Sequence, residues 1–304
     1  MFAKMTSKQA VLGGILTAVI MGGFIVISRF GVSARFSGAD LTLFRYISGL
    51  LLLPIFLRLD LKTLGGIGWK RAIILTVCAG WPFNMFLMTG FNYAPAAHGA
   101  VFAPGTMPMF TAIFSWLILK ERLSFYRLSG LVSLLFGLIM MGWGGFIESP
   151  SGVWKGDLLF LSAACLWGFF TVLVRHWRIN PVQVISVVGI LSFVSFSPLY
   201  FILFDNVFIH ASGFDLSLQI IYQSFLVGVI GVLFFAVGIN ILGPTRIALF
   251  ISLVPVIGTL LAIPILGELP GNVESLGVIV VVLGALAAMG VRLTGFRVDY
   301  KPSK

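Results

Sequence analysis

Four residues recur at a fixed displacement of 147: Pro108, Glu121, Gly130 and Gly137 return as Pro255, Glu268, Gly277 and Gly284, and a long apolar run precedes and follows each Glu. The chain reads as a duplication whose unit holds five apolar runs. An odd number of membrane crossings per copy requires the second copy to enter the bilayer upside down relative to the first. Many transporters build a site that faces either side in turn from such inverted repeats. The copies are placed at residues 1–147 and 148–304, the second with a short tail expected in the cytoplasm.

The runs cannot be packed as a soluble core. With 59% hydrophobic residues, 10% charged residues and a mean hydropathy of +1.08, the chain lacks the polar residues to cover a globular surface. In lipid, the open-ended structure that satisfies its own backbone is a helix of about 20 residues. Ten such spans are predicted: Ala10 to Ser28, Leu41 to Leu57, Ala72 to Phe91, Gly99 to Leu119, Phe125 to Phe146, Leu158 to Val174, Val182 to Phe204, Leu216 to Ile241, Thr245 to Leu266 and Ser275 to Val291. Asp40, Asn180 with Pro181, and Asn272 are expected to start the second, seventh and tenth. The expected fold class is an all-α integral membrane protein, ten transmembrane helices forming two inverted five-helix repeats around a central cavity.

With the amino terminus inside, only Arg29, Arg35, Lys155 and Arg45 of the 20 Lys and Arg fall away from cytoplasmic segments. That bias predicts both termini in the cytoplasm. It also accounts for the net charge of +10 by topology and anionic lipid, so no nucleic-acid partner is implied. Short loops and compact length suit a bacterial inner membrane. Cys78 and Cys165 lie within apolar spans and read as packing residues.

Polar and aromatic residues at helical spacing suggest a solute path. On the third span, Trp81, Asn84, Met88 and Asn92 form one stripe, interrupted by Pro82. Amides are costly against lipid, so the stripe faces either a cavity or neighbouring helices that it glues together. The first span offers Thr17, Met21, Phe24 and Ser28, and the sixth offers Ala163, Trp167, Phe170 and Val174; these faces either meet at the site or pack as core. Ala103 to Pro108 contains two prolines and a glycine and cannot be a regular helix, so Pro104 and Pro108 are candidate hinge residues, with Pro255 their weaker counterpart. His98 is expected at the outer surface, and Arg45 is expected to snorkel to the interface. Glu121 and Glu268 are expected to anchor helix ends against a helix dipole or a nearby Arg. Ser133 with Gly137, and Gly284 with Ala288, allow close helix approach either within a monomer, which is favoured here, or in a dimer.

These residues resemble the drug/metabolite transporter superfamily in its ten-helix EamA-type branch. The resemblance covers Ala10 to Val291 and rests on the duplication, on Pro108 with Leu119, Lys120 and Glu121, on Pro255 with Leu266, Gly267 and Glu268, and on Trp167 with Gly168. The position matching Trp167 in the first copy is Met21, a departure that implies an asymmetric site. The resemblance implies an exporter of small metabolites with its path between the halves, and the aromatic content is most like the exporters of aromatic and neutral amino acids.

The expected substrate-binding residues are Trp81, Phe83, Met88, Trp167 and Phe170 for apolar and stacking surface, and Asn84, Thr106 and Asn240 for hydrogen bonds. All ten acidic residues fall at span ends or in loops, so a mid-membrane proton relay is not expected, and transport by a facilitator is. The alternative is multidrug efflux of lipophilic cations. No enzyme machinery, cofactor or metal site is implied. The partners expected are a small-molecule substrate and membrane lipid.

Overall fold

The computed structural model describes residues 7–121, 124–148, 152–205, 208, 211–231, 234, 241 and 250–288, and every regular element among them is helical. The helices are α1 (Ser7–Ser33), α2 (Gly38–Phe56), α3 (Trp69–Ala79), α4 (Trp81–Gly90), α5 (Ala96–Ala100), α6 (Met107–Leu119), α7 (Phe125–Glu148), α8 (Val153–His176), α9 (Pro181–Leu203), α10 (Gly213–Ile220), α11 (Val254–Leu266) and α12 (Asn272–Ala288). Two π-helical stretches join them, Val101–Gly105 between α5 and α6, and Ile221–Gly231 after α10.

Among the described residues, eight helical segments are long and apolar enough to cross a membrane: Val11–Ser33, Gly38–Phe56, Trp69–Gly90, Ala96–Leu119, Phe125–Trp143, Val153–His176, Val182–Leu203 and Gly213–Gly231. Val254–Leu266 and Asn272–Ala288 are shorter apolar helices. Residues 232–233 and 235–240 of the eighth expected span and the start of the ninth lie outside the described residues, as does the end of the tenth. The third and fourth spans are each built from pieces. Gly80 divides α3 from α4, and the π-turn with Thr106 divides α5 from α6.

Local chemistry explains several boundaries. Asp40 does not itself cap α2, as the sequence suggested. Ser37 is the cap, accepting from the Asp40 N–H, while the Asp40 carboxylate accepts from the Ser37 N–H at 2.6 Å, a reciprocal capping box. Asn180 caps α9 ahead of Pro181 as expected, through Oδ1 and the Val182 N–H at 2.9 Å. Asn272 is the first residue of α12, and it is Glu274 that reaches back to the Gly271 N–H. Both α6 and α11 end on a left-handed residue, Lys120 (φ 56°) and Gly267 (φ 69°), again 147 apart.

The packing pairs equivalent parts of the two halves. α7 and α12 run antiparallel so closely that a Cβ on Gly130 would fall 2.3 Å from the Ala288 nitrogen, and one on Gly137 would fall 2.9 Å from the Val281 nitrogen. The small-residue pairs seen in the sequence are thus used inside the chain. α1 lies on α11 and α6 on α8. A Cβ on Gly22 would fall 2.6 Å from Ile257 Cγ2, and one on Gly168 would fall 2.6 Å from Phe110 Cβ. Outward faces such as Leu12, Ile73, Val132, Phe136 and Ile139 are exposed and apolar, as lipid contact requires.

Candidate functional site

The broken fourth span sets the geometry. Pro104 lies in the π-turn, and Pro108 sits in the first turn of α6, where a missing N–H costs least. The Thr106 N–H bonds to the Ala103 carbonyl at 3.2 Å, leaving the Phe102 carbonyl without its helical donor. The Thr106 hydroxyl replaces that donor at 2.7 Å. Thr106 is fully buried, and its hydroxyl stabilises the break rather than facing a cavity. The ninth expected span breaks at Ser252 and Leu253, after which Pro255 lies in the first turn of α11.

Three of the predicted substrate-binding residues meet. Phe83 on α4 lies 5.2 Å from Trp167 on α8, centroid to centroid, and Trp167 lies 5.4 Å from Phe170, all with tilted rings. The others are elsewhere. Trp81 stacks on Phe196 of α9 at 5.2 Å and borders an apolar groove with Pro82, Met85, Phe86, Thr89 and Leu159. Met88 is fully buried core, and Asn92 is exposed. The buried Asn84 donates through Nδ2 to the Thr42 hydroxyl at 3.2 Å, joining α4 to α2. Asn240 lies outside the described residues.

Charged groups gather near the starts of several helices, and here the sequence reading needs correction. His98 is not a surface residue: it is 1% exposed, with Nδ1 2.8 Å from Asp157 and Nε2 3.4 Å from Glu274, and its ring stacks on Phe102. Asp40 lies in the first turn of α2 and Asp157 just beyond the first turn of α8, near the span ends, yet they are 4% and 7% exposed. Asp40 accepts a short hydrogen bond from the Tyr200 hydroxyl. Arg45 does not snorkel outward. Its guanidinium donates to the Gln223 carbonyl at 3.0 Å and lies over the Phe24 ring at 5.7 Å. Phe24 carries no charge to signal this pairing, and Gln223 is 178 residues away in sequence.

Both glutamates of the repeated signature pair with arginine, as expected for helix anchors. Glu268 Oε1 lies 2.7 Å from Arg29 Nε, and Glu121 Oε1 lies 2.5 Å from Arg175 Nη2. Arg29 also donates to the Phe91 carbonyl, and Glu268 Oε2 accepts from the Ala96 N–H at 2.7 Å. The first pair therefore sits where the Ala96–Leu119 segment begins and the second where it ends, so the two lie at opposite ends of one span-length helix. Each pair crosses from one sequence half to the other.

The sequence profile of the EamA-like transporter family matches residues 8–143 and again residues 154–290. The chain belongs to the EamA-like transporter family. It is a multi-pass membrane transporter of that family and not an enzyme. It is 25% identical over 228 residues to the uncharacterized transporter YyaM of Bacillus subtilis (strain 168), covering 72% of each chain. To the uncharacterized transporter YoaV of the same organism it is 29% identical over 103 residues, 34% of this chain and 35% of that one. A solved crystal structure shares the fold at a TM-score of 0.64 and 19% identity, covering 93% of this chain and 98% of that one.

Proposed function

We propose that this EamA-like protein exports small neutral amphipathic metabolites, amino acids with aromatic or large apolar side chains foremost, by alternating access and without obligatory proton exchange. The observation that carries the substrate class is the Phe83, Trp167 and Phe170 cluster, which offers ring faces contributed by both halves of the chain. Alternating access is supported by contacts that exchange between halves at displacements of 146 and 147. Gly22 meets Ile257 as Gly168 meets Phe110, and Arg29 meets Glu268 as Arg175 meets Glu121. The antiparallel crossing of α7 and α12 is consistent with a pseudo-twofold axis between them, hence with two inverted five-helix copies over 1–147 and 148–304. Pro104, Pro108 and Pro255 are the proposed bending points, since each lies in or beside the break of a span that carries one of the paired glutamates at its far end. The protein in this reading is a monomer of the bacterial inner membrane with both termini cytoplasmic.

The test is counterflow in liposomes of labelled phenylalanine, threonine and a lipophilic cation, with and without an imposed proton gradient. Amino-acid exchange that needs no gradient and falls in Trp167→Ala is the expected result. Flux of the cation alone, or flux that demands protons in fixed stoichiometry, overturns the reading in favour of multidrug antiport.

A further inference from the structure

A cation inside an apolar span is costly unless something compensates it. Arg45 stands about 10 Å along α2 from Gly38, and its charge is directed across the bundle. Its hydrogen bond to the Gln223 carbonyl occupies one of five guanidinium donors. No carboxylate among the described residues pairs with it. The side chain is partly buried, held beneath the Phe24 ring.

Gln223 supplies the complementary defect. It is fully buried in the π-helical stretch Ile221–Gly231, and its Oε1 is the one buried side-chain oxygen or nitrogen among the described residues with no hydrogen-bond partner. The orientation of its amide is fixed by neighbours. Nε2 lies 3.0 Å from Ser28 Oγ and 3.4 Å from Gln219 Oε1, and the Ser28 hydroxyl already donates to the Phe24 carbonyl at 2.7 Å. Turning the amide over would set Oε1 against the Gln219 oxygen and against a hydroxyl whose proton is committed elsewhere. Gln219 is held in turn, donating to the Ile27 carbonyl at 2.7 Å.

A cation without an anion and an acceptor without a donor thus occur at one crossing of α1, α2 and the π-helix. We propose that Arg45 and Gln223 form the subsite for the zwitterionic end of an α-amino acid, the carboxylate on the guanidinium and the ammonium on Gln223 Oε1. This rests on the amino-acid reading above and deepens it, because it assigns the charged atoms of the substrate to named groups. It also excludes competitors: an amine without a carboxylate leaves Arg45 unpaired, and a lipophilic cation meets like charge. The apolar cover over the site is Phe24, which shares with Ser28 the first-span stripe that the sequence left open between a site-facing and a core-packing role.

The test uses the full-length protein in liposomes loaded with labelled phenylalanine. Exchange is measured against external phenylalanine, phenethylamine, which lacks the carboxylate, and 3-phenylpropionate, which lacks the amine. Phenylalanine should drive exchange and neither half-molecule should replace it. Arg45→Gln should lower phenylalanine exchange roughly tenfold to a hundredfold, the effect of losing a hydrogen bond to a charged group, and Gln223→Met should weaken it in the same direction. Arg45→Lys should fall between, since an ammonium cannot reproduce the planar fork. If Arg45→Gln and Gln223→Met, each with wild-type elution and melting, exchange phenylalanine at the wild-type rate, the subsite is wrong while the amino-acid reading stands. If phenethylamine competes as well as phenylalanine in the wild type, the subsite is also wrong, and that comparison needs no variant to fold. A wild type that exchanges no amino acid overturns both.

Discussion

A histidine in the first turn of an apolar span can stand at the interface, or it can bury its ring and engage a partner on each nitrogen. Position in the sequence favours the first, and His98 takes the second, because Asp157 and Glu274 reach it from helices 59 and 176 residues away. Both nitrogens facing carboxylate oxygens makes the ring a bridge between α5, α8 and α12. Removing one partner from a buried charged pair costs about 3–5 kcal/mol, so His98→Ala should lower the melting temperature in detergent strongly. Asp157→Asn keeps a hydrogen-bonding group and should lower it less. Equal melting of His98→Ala and wild type would show that the bridge contributes nothing to stability. Arg45 escaped the sequence reading for the same reason as His98. What decides the direction of a long cationic side chain is a backbone carbonyl and a ring on other helices, and neither leaves a local signal. Trp167 and Phe170 were legible as one face because helical spacing places rings together whatever the partner, whereas Phe83 lay outside the stripe read on its own span. Met88 and Asn84 obey the same spacing yet ended in core and in an interhelical hydrogen bond.

At the scale of elements, the breaks were legible and the pairings were not. Two prolines and a glycine within Ala103 to Pro108 forbid an unbroken helix, and the chain responds with a π-turn and a threonine that bonds back to the carbonyl left open. Pro104→Ala restores the donor and the helical option, so exchange should drop while melting holds or rises; a variant with wild-type exchange would deny the break a part in transport. The crossing of α7 and α12 gives a sharper stability test. A side chain on Gly137 would meet the Val281 and Gly277 backbones at 2.9 and 3.0 Å, and backbone cannot step aside as a rotamer can. Gly137→Leu should destabilise by about 1–3 kcal/mol, the usual range for overpacking. Gly142→Ala, five residues along the same helix, meets nothing nearer than the Phe102 ring at 3.8 Å and should melt like wild type. Similar melting of the two variants would mean that the helices are not held together at Gly137. Small residues at helical spacing announced a close approach, but their partner in this chain could not be read from one helix alone.

At the scale of the whole molecule, the repeat at 147 residues is what made the architecture legible, and the structure adds what that repeat is used for. Glu121 and Glu268 each close on an arginine from the other half, at opposite ends of the segment Ala96–Leu119. A transporter that opens at one end at a time must release one pair while keeping the other, so the two pairs should act as opposed latches. They are unequal here. Arg29 and Glu268 expose 24% and 23% of their side chains and hold two further backbone groups, whereas Arg175 exposes 64%. An exposed pair contributes at most about 1 kcal/mol, and the half-buried, doubly bonded pair should contribute more. Glu268→Gln should therefore raise labelling of a cysteine placed at Ala97, a buried position beside that latch, about fivefold or more, the population change that 1 kcal/mol produces. Glu121→Gln should leave that labelling unchanged or lower it, because weakening the far latch favours the opposite opening. The exchange Arg29→Glu with Glu268→Arg should restore the wild-type level if the charge pair itself holds the end closed. Labelling that rises equally in Glu268→Gln and Glu121→Gln would show general loosening instead of opposed latches, and the two pairs would then be helix anchors alone.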